Sequence, residues 1–241
     1  MVELEKYLER LERTDKEHIK YAQSIMEADG SKMYPLDFLF LAAVNRSKCN
    51  LHAFIHLIKE RNYISAAPFL RMQVDSILRL AASTLVDDPH EFANKVLSGE
   101  SVSKIKSRDN QKLQDWYLLK TFNPKFPWME GVYKNSSGFI HLSEKHIHGI
   151  ISQSDENGGI GVSISHEQAF IPEQNYLEAV AAFYESVDSL FNLCRGWILS
   201  KEYPEEVSQL MSENMPNKRL WRQSFILGDV LVPHDAISKH R

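Results

Sequence analysis

Cysteine is scarce in this sequence, which contains only Cys49 and Cys194. Their spacing fits neither a disulfide framework nor a paired-cysteine zinc site, and both lie in helical patterns. We expect reduced, buried thiols in a reducing compartment. The N-terminal segment MVELEKYLERLERTDKEHIK is dense in charge, which argues against a secretory signal peptide. The sequence therefore predicts a cytoplasmic protein.

Long apolar runs and clusters of basic residues are also missing. The longest apolar run, 38–44, is far shorter than the ~20 residues that a membrane-spanning helix needs, so no membrane partner is expected. The net charge is −4, the isoelectric point is near 6.2, and no dense Lys/Arg cluster is present. We therefore expect no DNA partner, although an RNA-cleaving enzyme is not excluded.

The common nucleotide and hydrolase motifs are absent. The sequence has no GxxxxGK[ST], GxGxxG or GxSxG, which leaves P-loop, dinucleotide-binding and α/β-hydrolase chemistry unsupported. His52 and His56 lie one helical turn apart, but no HExxH pattern or third ligand of matching spacing accompanies them. The sequence predicts no metal site and no cofactor.

What the sequence does contain is helical periodicity. Hydrophobic residues make up 43% and charged residues 25%, the balance of a folded protein with a sizeable core. We predict an all-α bundle of about six to eight helices in a single domain spanning 1–241. The predicted helices cover 2–28, 35–61, 65–86, 89–97, 111–121, 127–148 and 172–198, with a short helix from Pro204 and a tail in 201–241.

Two parts of this bundle have distinct patterns. The amphipathic helix within 1–30 has a narrow apolar stripe, which suits packing either over its own domain or, at the domain edge, against a second copy in a homodimer. Near 149–165, turn-forming residues precede Ile160, Val162 and Ile164, which alternate with small residues. This alternation predicts one short β-hairpin, whose first arm covers 149–152.

The third predicted helix carries a charged pair on an apolar face. Arg71 and Asp75 lie four residues apart and share that face with Val74 and Leu78. A buried charge needs a partner, so the pair can be a structural salt bridge. Alternatively, Asp75 orients Arg71 to bind an anion such as a phosphate or carboxylate.

A second polar stripe lies in the predicted helix over 127–148. Tyr133, Ser137 and His141 fall within one sector roughly 80° wide, together with Glu144 and His148. These groups suit either general acid–base chemistry or a buried hydrogen-bond network. We predict that Tyr133, Ser137 and His141 meet the charged pair of the third helix in the bundle interior.

Two segments resemble a known group of proteins. KERNYISAAPFLRMQVDSILRLAAS and, further along, YKNSSGFIHLSEKHIH resemble bacterial helical proteins of unknown function. These proteins have an Arg-x-x-x-acid helix, a Tyr-x-x-x-Ser-x-x-x-His helix, a small hairpin and a long closing helix. The resemblance covers roughly 36–200, with Asp75 in place of the expected Glu. Such proteins are similar in architecture to the HEPN superfamily, whose members include ribonucleases of toxin and anti-phage defence systems.

The HEPN resemblance implies a ribonuclease motif of Arg, four to six residues, then His. Arg13–His18 and Arg46–His52 match it, and the second match has the better helical setting. The resemblance implies a metal-independent endoribonuclease that acts through a dimer cleft, with Arg46 on the phosphate and His52 on the 2′-hydroxyl. The other hypothesis, which the acidic composition favours, is a non-catalytic helical binding or accessory protein, defence-related by resemblance, with a small anionic ligand.

Overall fold

Helices dominate the structure, as the periodicity predicts. A computed structural model describes residues 2–154, 159–168 and 170–206. In that part of the chain an all-α bundle of eight α-helices carries one two-stranded hairpin. The helices are α1 (Val2–Ser31), α2 (Pro35–Lys59), α3 (Tyr63–Ala81), α4 (Pro89–Leu97), α5 (Asp115–Phe122), α6 (Pro127–Ser137), α7 (Glu144–His148) and α8 (Glu173–Glu202). The strands are β1 (Ile151–Ser154) and β2 (Ile160–Val162), and short 3₁₀ turns lie at Ala82–Leu85 and Val102–Lys104.

Local chemistry explains several helix ends. In α1 the backbone leaves helical geometry from Ala28, and Asp29 and Gly30 adopt the left-handed region with φ of 55° and 62°. Glycine and aspartate tolerate this region better than most residues, so the helix ends where the sequence predicts. Pro35 occupies the first turn of α2, where its missing N–H is not needed. Asp88 caps α4 through its carboxylate, which accepts from two backbone N–H groups.

The position of α1 decides between the two arrangements expected for it. This helix packs along α8 and α2 of the same chain. Its apolar stripe is buried there, with Leu11 and Ile25 fully inaccessible to solvent. The stripe therefore covers its own bundle, and pairing with a second copy is not needed to bury it.

The core consists of two apolar clusters connected by the long helices. At one end Phe54 of α2 stacks on Phe183 of α8, with ring centroids 4.3 Å apart. Towards the other end Phe40 of α2 stacks on Trp197 of α8 at 5.9 Å. Because α2 and α8 each supply residues to both clusters, the two ends are held together by continuous helices.

The hairpin forms near the predicted position. Strands β1 and β2 pair antiparallel, with Ile151 opposite Val162. The first arm begins at Ile151 and not at Gly149, because Gly149 still belongs to the end of α7: its N–H donates to the Lys145 carbonyl at 2.9 Å. The prediction of one hairpin within 149–165 is confirmed, and its first arm is shifted.

The predicted helix over 127–148 is wrong in its second half. Helix α6 ends at Ser137, and the chain turns before α7 begins at Glu144. Ser143 causes the second start: its hydroxyl accepts from the Lys145 N–H at 3.3 Å and donates to the Gly138 carbonyl at 2.6 Å. A serine in this N-cap position favours the start of a new helix.

Three smaller predictions need correction or fall outside the described residues. Helix α5 starts at Asp115 and not at residue 111, because the preceding segment runs back along the 105–107 loop, with the Leu113 N–H donating to the Ile105 carbonyl at 2.9 Å. Cys194 is buried as predicted, which raises the pKa of its thiol, whereas Cys49 lies on the outer side of α2 and is exposed. The part of the predicted 201–241 tail that follows residue 206 lies outside the described residues.

A buried ion pair ties three helix ends together. Asp37 of α2 and Lys201 of α8 lie 3.1 Å apart, with side chains only 0% and 1% exposed. Lys201 Nζ also donates to the carbonyls of Ile25 at 2.8 Å and Lys32 at 3.0 Å. The other Asp37 oxygen accepts from Trp197 Nε1 at 2.6 Å. Each charge is thus hydrogen-bonded as well as paired, the condition under which buried charges are tolerated.

A second buried polar chain links α1, α2 and α3 through His18. Its Nδ1–H donates to the Thr14 carbonyl at 2.7 Å, so Nε2 is left to accept from the Ser47 hydroxyl at 2.9 Å. Ser47 Oγ in turn accepts from Gln73 Nε2 at 2.7 Å. A neutral imidazole satisfies both of these hydrogen bonds. Burial is the main reason that the pKa of His18 is lowered. The hydrogen bond to the Thr14 carbonyl and, less strongly, the charge of Asp15 oppose the shift, whereas nearby Lys48 adds to it.

We expect this histidine to make stability depend on pH. Below its ordinary pKa of about 6.5, the unfolded chain binds a proton on His18 that the folded chain does not bind. Stability should therefore be full above that pH and fall as the pH decreases, by up to about 1.4 kcal/mol per pH unit. Urea unfolding at several pH values checks this, with His18→Gln as the comparison. The expectation would be contradicted if the free energy of unfolding depended on pH in the same way in both proteins.

Candidate functional site

Charged residues of α3 form the centre of the candidate site. Arg71, Asp75 and Arg79 follow one another at four-residue intervals, so they share one face of the helix. An Asp75 oxygen lies 3.8 Å from Arg71 Nη1 and 3.2 Å from Arg79 Nη2. The carboxylate therefore stands between two guanidinium groups and is the closer to Arg79.

Asp115, at the start of α5, is the second anion of the site. It accepts from Arg71 Nη2 at 3.1 Å, from Arg79 Nη2, and from the Tyr133 hydroxyl of α6 at 2.5 Å. The Arg71 guanidinium also lies over the Tyr133 ring, 3.6 Å from its centroid. Of the residues predicted to meet, the structure brings Arg71, Asp75 and Tyr133 together.

Helix α2 adds a third guanidinium. Arg46 Nη1 lies 3.8 Å from an Asp75 oxygen, which is beyond hydrogen-bond length, and its side chain is 44% exposed. Three arginines thus face two aspartates, and one positive charge is left in excess. We name this group the arginine cluster, and it consists of Arg46, Arg71, Asp75, Arg79, Asp115 and Tyr133.

Proton affinities in the cluster follow from its geometry. Burial acts to raise the pKa of Asp115, but the Tyr133 hydrogen bond and the charges of Arg79 and Arg71 outweigh it and lower the pKa. Burial and the hydrogen bond to Asp115 raise the pKa of Tyr133 to about 12. Near neutral pH, Asp115 is therefore ionised and Tyr133 is a protonated donor.

The cluster opens onto a cleft between α5 and α6. Arg79, Asp115 and Tyr133 form part of its wall, and its volume is about 910 Å³. Lys120, Glu130 and Lys134 also line it, with Lys134 paired to Glu130 at 2.6 Å, beside the exposed ring of Trp116. The cleft thus offers cationic donors and an aromatic surface to a solute.

Ser137 and His141 do not reach the arginine cluster, contrary to the prediction. The Ser137 hydroxyl donates to the Tyr133 carbonyl of its own helix at 2.6 Å. His141 lies in the bend between α6 and α7 and is exposed. The predicted stripe requires one continuous helix, but α6 ends at Ser137, before the stripe is complete, and a new helix starts only after the cap at Ser143.

Arg46 and His52 lie on different sides of α2. Residues six apart differ by about 120° around a helix. Accordingly, Arg46 faces Asp75 of α3, whereas His52 Nε2 lies 2.7 Å from an Asp15 oxygen of α1. In the other matching pair, His18 is buried and Arg13 is exposed. Within one chain, neither pair forms a shared site.

Sequence reasoning missed two members of the cluster. Arg79 had a detectable signal, since it lies one turn beyond Asp75 on the same helical face. Asp115 had none, because its partners are 18 to 44 residues away in the chain. In the described ranges, no three His, Cys, Asp or Glu side chains gather as metal ligands.

Comparisons with known proteins return no relative: no family model, no curated protein and no solved structure matches this chain. Within residues 2–154, 159–168 and 170–206, no helix is long and apolar enough to span a membrane.

Proposed function

We propose that the protein is a non-catalytic binding module that holds a small oxyanion, a phosphate or carboxylate, at the arginine cluster. The observation that carries this proposal is the excess of guanidinium groups over carboxylates in the arginine cluster, one member of which, Arg79, borders an open cleft. A guanidinium presents its donors in a planar fork that matches two oxygens of such an anion.

The positions of the arginines support binding from solution. Arg71 is mostly covered, and its bonds to Asp115 and stacking on Tyr133 hold it in place. Arg79 is 28% exposed and Arg46 is 44% exposed, so their remaining donors are accessible. Because Asp75 and Asp115 already fix Arg79, less freedom is lost when an anion binds.

The chemistry of the cleft favours binding over catalysis. Asp115 already accepts from three donors, and Tyr133, with a pKa of about 12, keeps its proton near neutral pH. Neither group is therefore a ready general base.

A metal-independent endoribonuclease is the alternative proposal. It requires Arg46 and His52 to act on one phosphodiester, and their separation around α2 gives it less support. Cleavage of RNA that continues in EDTA and disappears in both Arg46→Gln and His52→Gln would favour it. Dimer formation and a role in defence stay predictions of the resemblance.

Inorganic phosphate tests the binding proposal. It should raise the melting temperature in a saturable way, because a ligand bound only by the folded state stabilises that state, by about 2.7 kcal/mol at a hundred times its dissociation constant. Differential scanning calorimetry would measure the shift against sodium chloride of equal ionic strength.

Two variants serve as a matched pair for this measurement. Arg79→Gln should abolish the phosphate effect, since it removes the arginine that borders the cleft. Arg13→Gln, which removes an exposed arginine of α1, should leave it intact. A phosphate effect equal to that of chloride, or equal in both variants, would refute the proposal.

A further inference from the structure

Arg79 lines an apolar pit as well as the cleft. The pit sits between α2, α3 and α4 and has a volume of about 220 Å³. Its floor is formed by the buried side chains of Leu80, Phe92 and Val102. Arg46 and Arg79 are the two cationic groups in its lining.

Small side chains create this space. Ala42 and Ala43 of α2 face α4 across the pit, where larger residues would fill it. An apolar cavity of about 150 Å³ is large enough to bind benzene, so this pit can hold an aromatic ring or a short alkyl chain. It is smaller than the ~300–1,000 Å³ typical of sites for larger organic ligands, which limits the ligand to a small molecule.

The charges at the pit indicate which kind of small molecule fits. Asp75 lies 3.8 Å from Arg46 and 3.2 Å from Arg79, so it offsets part of the charge of both and holds Arg79 in place. Arg79 is also paired with Asp115, so the cluster as a whole has one positive charge in excess, and the pit supplies apolar surface beside Arg46 and Arg79. A neutral apolar molecule would leave the cations unused, and a bare anion would leave the pit unfilled.

We propose that the pit binds the apolar part of a small amphiphilic anion, whose carboxylate or phosphate is bound by Arg46 and Arg79. The proposal rests on the proposed function, because it uses an arginine of the same cluster, and it adds the class of ligand. Apolar burial provides affinity and the guanidinium pair provides orientation.

Linear carboxylates of increasing length test the proposal by isothermal titration calorimetry. Each methylene that enters the pit should strengthen binding about 4-fold, and the gain should stop when the pit is full. Octanoate should thus bind far better than acetate, and neutral octanol should bind more weakly than octanoate. Octyl phosphate compared with octanoate shows which head group the arginines prefer, and tighter binding of either supports the proposal.

Two variants separate the parts of the ligand. Arg46→Gln should weaken octanoate at least tenfold but leave octanol unchanged. Ala42→Leu should weaken both, since Ala42 lines the pit, and its exposed position lets a larger side chain fit without disturbing the core. Arg13→Gln is the control and should change neither.

The outcomes distinguish this inference from the proposed function. Ala42→Leu should leave the response to inorganic phosphate unchanged, because Ala42 does not belong to the arginine cluster. If phosphate binds but octanoate binds no better than acetate, the inference is wrong and the proposed function stands. If neither Arg46→Gln nor Ala42→Leu changes the affinity for octanoate, the octanoate site lies outside the pit and the inference is also wrong. If no anion binds, both are wrong.

Discussion

Lys201→Met should lower the free energy of unfolding by about 3–5 kcal/mol, because it leaves the buried carboxylate of Asp37 without its cationic partner. Both side chains are almost completely shielded from water, so solvent cannot replace the lost interaction. The carbonyls of Ile25 and Lys32 lose their donor in the same variant. Urea unfolding followed by circular dichroism would measure the change.

An exposed ion pair provides the matched control. Lys59 of α2 lies 2.6 Å from Glu12 of α1, and both side chains are about half exposed. Lys59→Met should therefore change the free energy of unfolding by less than about 1 kcal/mol. A loss of similar size in Lys59→Met and Lys201→Met would contradict the importance assigned to burial.

The double variant Asp37→Asn/Lys201→Met tests the coupling. Removing both charges leaves neither one stranded, so the double variant should lose less stability than the sum of the single variants. Strict additivity would show that the two groups act independently.

The sequence predicts those features that depend on local chemistry. Pro35 and Asp88 mark helix starts, Asp29 and Gly30 mark a helix end, and the apolar stripe of α1 marks its buried side. The same rules could have predicted the break between α6 and α7, since Ser143 followed by Glu144 is a typical helix start. The prediction of one helix over 127–148 runs across this cap and therefore places His141 on a helical face that does not exist.

The candidate site is less predictable from the sequence, because several of its ion pairs and hydrogen bonds join residues that are far apart in the chain. The four-residue spacing of Arg71 and Asp75 indicated a charged face correctly, and Arg79 could have been added from the same spacing. Asp115 could not, since nothing in its own segment distinguishes it from any capping-region aspartate. The buried pair of Asp37 and Lys201 was equally hidden, because 164 residues separate the two partners.

Asp115→Ala should destabilise the protein by roughly 3 kcal/mol, because three donors lose their acceptor at once. These donors are Arg71, Arg79 and the Tyr133 hydroxyl, and the Asp115 side chain is only 29% exposed. The variant Asp115→Asn keeps the shape and removes the charge, so its loss of stability should be smaller. In that variant the pKa of Tyr133 should fall from about 12, since the hydrogen bond to a carboxylate helps to raise it. Spectrophotometric titration of tyrosine would show the change.

The same charge removal should strengthen anion binding while it weakens the fold. Without the Asp115 charge, the excess positive charge of the arginine cluster increases by one, and Arg79 regains a donor for a ligand. We expect Asp115→Asn to bind inorganic phosphate several-fold more tightly than the wild-type chain. Glu130→Gln removes a charge from the same cleft without touching the arginines, so it should affect phosphate binding less. Calorimetric titration of both variants with phosphate measures the difference. If the cluster serves only to hold the helices together, Asp115→Asn will lower the stability of the protein without any gain in phosphate affinity.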